Sequence, residues 1–140
     1  MQRIVFVSRA EAEKLSANPQ WAVISISEPS GTPAQLAQGW GSVLRLAFVD
    51  ADEHCEDGEL FTAEMAKAVL SFAEQAVKQG HSLLVHCHAG VSRSAAVAVA
   101  LAQVHHLPVF SLTVRLAPTY SLYNKYVYRL LYRAMMGYDS

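Results

Sequence analysis

Short apolar runs, each bounded by polar or turn-forming residues, recur along this chain and predict β-strands. The predicted strands are residues 4–7, 22–26, 43–49 and 83–86. The last of these is short and apolar, which is typical of a strand buried on both faces at the centre of a parallel sheet.

Between the strands, apolar residues recur at helical spacing. The predicted helices are residues 9–16, 62–79, 93–105 and 111–116, and a C-terminal helix on which Tyr123, Val127, Leu130, Leu131 and Ala134 share a face. Ser8 and Glu11 have the spacing of a capping box at the start of the first helix. Strands that alternate with helices predict an α/β fold. We expect one domain over residues 1–140, with helices flanking a mostly parallel sheet of four or five strands.

The composition narrows the class of protein. Hydrophobic residues make up 52% of the 140 residues and charged residues 16%, as in a globular protein. A formal net charge of -1 argues against general nucleic-acid binding. The continuous apolar run at residues 95–101 is too short to span a bilayer, so no membrane insertion is expected. Two cysteines do not make a disulfide framework. The reducing cytoplasm is therefore the expected compartment. We also expect a monomer.

One segment carries the candidate chemistry: His86-Cys87-His88-Ala89-Gly90-Val91-Ser92-Arg93-Ser94. It joins a predicted strand to a predicted helix. A glycine-containing loop at a helix N-terminus can aim several backbone N–H groups at one anion, and the helix dipole adds to their effect. The predicted phosphate-binding residues are His88, Ala89, Gly90, Val91, Ser92 and Arg93.

Each chemical group of this segment suits phosphoryl transfer. Cys87 is the candidate nucleophile, and the surrounding donors favour its thiolate. Arg93 offers a planar fork that matches two phosphoryl oxygens. Ser94 can assist the sulfur when it leaves phosphorus, and His86 can hold the loop through hydrogen bonds. Gly90 allows a sharp backbone turn close to the ligand.

This nine-residue segment resembles the signature loop of the cysteine-dependent protein tyrosine phosphatases. Its sequence is most similar to that of the compact dual-specificity branch. Arg115 and Pro118 resemble an arginine and a proline of a family loop, although Thr119 stands where asparagine is common. The resemblance implies a phosphocysteine intermediate, an aspartic acid as general acid, and neither a metal nor an organic cofactor.

The general acid must come from a nearby loop, and the acidic stretch after the third predicted strand is the candidate. Its carboxylates are Asp50, Asp52, Glu53, Glu56 and Asp57. We choose Asp50, because it leaves the strand directly, with Asp52 as the alternative. Cys55 of the same stretch is interpreted as an ordinary loop residue, and a reversible disulfide with Cys87 is the alternative.

The expected activity is hydrolysis of phosphotyrosine in proteins, with phosphoserine and phosphothreonine as open alternatives. Phosphate and vanadate are the expected inhibitory oxyanions. The same chemistry also suits a phosphoinositide, an RNA 5′-triphosphate or a small phosphate ester. A rhodanese-type sulfurtransferase also uses a cysteine loop, but Arg93 and Ser94 favour phosphate. A phosphate-binding module without catalysis is the remaining alternative.

Overall fold

Five parallel strands form the centre of the fold, and the computed structural model describes residues 2–51, 59–116 and 120–137 around them. The strands are β1 (Ile4–Ser8), β2 (Trp21–Ser27), β3 (Ser42–Ala47), β4 (Ser82–Cys87) and β5 (Val109–Ser111). They lie in the order β3-β2-β4-β1-β5, and every pairing is parallel. The central strand β4 is buried along its whole length, as its apolar sequence predicted.

Four helices follow the strands in the described part of the chain: α1 (Arg9–Lys14), α2 (Ala63–Lys78), α3 (Arg93–His105) and α4 (Lys125–Met135). The predicted capping box is present at α1, where Ser8 and Glu11 bond reciprocally. Thr62 caps α2 and Asn124 caps α4 through their side chains. None of the described helices combines the length and hydropathy needed to cross a bilayer.

The helices and the sheet form three layers, which confirms the predicted α/β fold. One face of the sheet packs against α2, α3 and α4, and its core includes Leu83, Val85 and Cys87 of β4. Leu84 points to the opposite face, where it packs beside Ala12 of α1. The largest apolar cluster lies on the first face, so α3 is buried along most of its length.

The prediction of a helix at residues 111–116 is wrong. Val109–Ser111 forms the edge strand β5, because β1 offers a free parallel edge and Phe110 pairs with Val5 there. After the strand, the Ser111 hydroxyl accepts the backbone N–H groups of Thr113 and Val114 at 3.0 and 3.1 Å. A serine that bonds its own backbone in this way stabilises a turn rather than a helix.

The parallel register brings the ends of the central strands together. Ser8 pairs with Cys87, and Ser25 pairs with His86. The carboxyl ends of β1, β2 and β4 therefore meet at one edge of the sheet, which is where α/β folds bind ligands. The cysteine loop lies at this edge.

Candidate active site

Residues 88–92 connect the end of β4 to the start of α3 and curve around the sulfur of Cys87. Cys87 is 1% exposed. The backbone N–H of Gly90 donates to Sγ at 3.3 Å, and Ser94 Oγ lies 3.1 Å from the same sulfur. The predicted contact of Ser94 with Cys87 is therefore present. Both groups can donate hydrogen bonds to a thiolate.

Glycine is the only residue type that fits at position 90 of this turn. Its φ is +73°, in the left-handed region, and an added Cβ would lie 2.4 Å from the backbone nitrogen of Ser8. The backbone N–H of Arg9 also donates to the carbonyl of His88 at 3.2 Å. The turn between β1 and α1 therefore packs directly against the loop and limits its movement.

The Arg93 side chain, at the start of α3, is buried and is held on two sides. Nη1 donates to the carbonyl of Phe48 at 2.8 Å, and Nη2 donates to Oε1 of Glu28 at 2.9 Å. The Nε atom is buried and has no hydrogen-bond partner among the described residues. A buried N–H without an acceptor is costly, so an oxyanion that reached Nε would be bound favourably.

Asp50 reaches the loop through Ser92. The Ser92 hydroxyl donates to Asp50 Oδ1 at 2.8 Å, and the Asn124 amide donates to the same oxygen at 2.8 Å. The backbone N–H of Asn124 donates to the Ser92 carbonyl at 3.1 Å. Oδ1 is thus fixed by two donors, and Oδ2 has no hydrogen-bond partner among the described residues. The structure joins Asp50 to the loop.

Other predicted residues fall outside this cluster or outside the described ranges. The residues outside the described ranges are Asp52, Glu53, Cys55, Glu56, Asp57, Pro118 and Thr119. His88 and Ala89 are exposed on the loop, whereas Val91 and Ser92 are half-buried. Arg115 is exposed as well.

His86 lies behind the loop, on the face of the sheet that α1 covers. Its Nε2 is 2.6 Å from the hydroxyl of Ser25, so the imidazole ties β4 to β2. Burial lowers the pKa of His86 to about 4, and the charges of Arg9 and Arg45 act in the same direction. The neighbouring Cys87 backbone favours the charged form, but Nδ1 makes no well-formed hydrogen bond among the described residues. His86 is therefore neutral at pH 7.

Sequence reasoning missed three residues that support the loop: Glu28, Asn124 and Tyr120. The Tyr120 hydroxyl donates to the Val91 carbonyl. Burial raises the pKa of Tyr120, and the negative charge of a Cys87 thiolate raises it further. Glu28 carried a usable signal, because it is an acidic residue directly after a strand. Nothing in the sequence around Asn124 or Tyr120 connects them with the loop, so they carried no such signal.

Comparison with known proteins assigns neither a family nor a function to this chain. The sequence matches no protein-family model and no curated protein. The chemistry of the site therefore rests on the geometry of the loop and on the residues that hold it.

Proposed function

We propose that this chain is a phosphomonoester hydrolase that dephosphorylates phosphotyrosine in proteins through a phosphocysteine intermediate. One observation carries the proposal. The buried sulfur of Cys87 lies within hydrogen-bond distance of the Gly90 N–H and the Ser94 hydroxyl, and the nearby Arg93 has a buried N–H with no acceptor in the part of the chain that the structure describes. Donors that converge on a nucleophile in this way also suit the oxygens of a phosphoryl group.

The first step transfers the phosphoryl group to the enzyme. The Cys87 thiolate attacks phosphorus, the S–P bond forms, and the P–O bond to the tyrosine oxygen breaks. Asp50 gives a proton to the leaving oxygen. Oδ2 is suited to carry that proton, because Oδ1 already accepts from Ser92 and Asn124.

The second step releases inorganic phosphate. Water attacks phosphorus, the S–P bond breaks, and the Asp50 carboxylate takes a proton from the water. Ser94 donates a hydrogen bond to the departing thiolate from its position 3.1 Å away. Arg93 and the loop N–H groups stabilise the charge of the phosphoryl oxygens in both steps.

The proposed substrate is a protein phosphotyrosine, and the proposed location is the cytoplasm, where a catalytic thiol stays reduced. Phosphoserine, phosphothreonine, phosphoinositides, RNA 5′-triphosphates and small phosphate esters are the alternatives. A panel of phosphopeptides, lipids and triphosphate RNA, each compared by kcat/KM, distinguishes them. The proposal expects the phosphotyrosine peptides to be hydrolysed fastest.

Hydrolysis of para-nitrophenyl phosphate tests the reaction class. We expect turnover by the wild type, loss of turnover in Cys87→Ser, and retained turnover in Cys55→Ser, which removes the other thiol. Absence of turnover in the wild type, with vanadate still bound, would instead support a phosphate-binding module. Transfer of sulfur from thiosulfate to cyanide would support a sulfurtransferase.

The general acid is tested separately with Asp50→Asn and Asp52→Asn. We expect only Asp50→Asn to remove the basic limb of the pH–rate profile. If Asp52→Asn removes that limb and Asp50→Asn keeps it, the role belongs to Asp52.

A further inference from the structure

A cleft of about 660 Å³ lies on the sheet face opposite α3, away from the cysteine loop. Its apolar walls include Val5 and Leu84 from the sheet, together with Trp21 and Trp40. None of residues 88–92 lines it. The volume lies within the range of pockets that bind small organic molecules.

The architecture explains why this face is open. Three helices of 11 to 16 residues cover the first face of the sheet, whereas α1 has six residues and reaches only part of the second. The edge strand β5 leaves Phe110 48% exposed, and Leu112 just beyond it is 60% exposed. Both residues line the cleft. Large apolar side chains that remain exposed around a concave surface mark a binding site.

The polar groups of the cleft select for an anion. The guanidinium of Arg3 lies 5.1 Å from the ring centroid of Trp21 at the cleft wall. The described lining residues include no carboxylate. The cleft therefore combines aromatic surface with the cation of Arg3, and no carboxylate among its described lining residues opposes that charge.

We propose that this cleft binds a small organic anion with an aromatic or aliphatic body, held by apolar contact with Trp21, Trp40 and Phe110. The anionic group pairs with the guanidinium of Arg3. The site is separate from the proposed phosphatase chemistry and does not depend on it.

Two fluorescent probes of similar shape test the proposal: anilinonaphthalene sulfonate, which carries an anion, and uncharged N-phenylnaphthylamine. We expect saturable binding of the sulfonate probe at one site per chain. Arg3→Met should weaken the sulfonate probe about tenfold, because it removes the cation, and should leave the uncharged probe nearly unchanged. Equal loss for both probes, or no loss, would overturn the pairing of the anion with Arg3.

A second pair of variants locates the site. Leu112→Glu places a carboxylate in the cleft and should weaken the sulfonate probe by about tenfold or more. Leu122→Glu is the matched control, because Leu122 is 65% exposed and does not line the cleft. Both substitutions are at exposed positions, so the fold should be retained, and circular dichroism checks this. Equal effects of the two variants, or no saturable binding to the wild type, would overturn the proposal.

Discussion

The carboxylate of Glu28 accepts a hydrogen bond from Arg93, with 2.9 Å between Oε1 and Nη2. The two residues are 65 positions apart in sequence, and they meet because β2 and β4 are neighbours in the sheet. The arginine is 4% exposed, whereas the side chain of Glu28 is 49% exposed. A buried guanidinium that loses a charged partner is held less firmly. Glu28 is therefore a positioning residue for the proposed phosphate site.

Glu28→Gln should lower kcat/KM for an aryl phosphate about tenfold, because the neutral amide holds Arg93 less firmly. Vanadate affinity should fall with it. Stability should fall by only about 1 kcal/mol, since Glu28 is half exposed. Glu74→Gln is the matched control: Glu74 pairs with Lys78 at 3.9 Å on an exposed helix face. Equal kinetics in the two variants would show that Glu28 does not position Arg93.

Asn124→Ala should lower kcat about tenfold, because the side-chain amide of Asn124 fixes Asp50 at 2.8 Å. The same variant removes the cap of α4, where Oδ1 accepts the N–H of Val127 at 2.9 Å. Thr62→Ala removes a comparable cap from α2. Both variants should lose about 1 kcal/mol of stability in urea unfolding. Only Asn124→Ala should lose kcat, and equal kcat losses would refute the positioning of Asp50.

Gly90→Ala should destabilise the protein by about 3 kcal/mol or more, because its Cβ would lie 2.4 Å from the Ser8 nitrogen and its φ is +73°. Gly80→Ala separates the two causes: Gly80 has a φ of +83° and no neighbouring atom within 4 Å of an added Cβ. Its expected cost is about 1 kcal/mol. Urea unfolding measures both. Similar losses would mean that the contact with Ser8 relaxes at little cost.

The free energy of unfolding should fall as pH decreases from about 6.5 towards 4. Burial lowers the pKa of folded His86 to about 4, below its ordinary value of 6.5. The unfolded chain therefore binds this proton first as pH decreases, which favours unfolding. By pH 4.5 the expected loss is about 2–3 kcal/mol. His86→Gln should reduce this slope, measured by urea unfolding at several pH values. An unchanged slope would assign the pH dependence to other groups.

Local patterns in the sequence were enough to predict most of the elements. Ser8 and Glu11 predicted the start of α1, Thr62 predicted the cap of α2, and the apolar run before His86 predicted the central strand. These features depend on residues within one or two turns of each other, where spacing alone determines which groups can meet. The helix prediction for residues 111–116 was wrong for the opposite reason. The strand β5 ends at Ser111, and it forms only when β1 supplies the edge with which it pairs.

The sequence by itself determined the α/β class, the strand-loop-helix context of Cys87 and the residues of the loop. Only the tertiary structure decided the strand order, the contact of Gly90 with Ser8, the partners of Arg93 and Asp50, and the open cleft beside Trp40. The physical reason is the sequence separation over which each kind of interaction acts. Capping and periodicity act between near neighbours in the chain, whereas these contacts join residues that are distant in sequence and meet only when the sheet assembles.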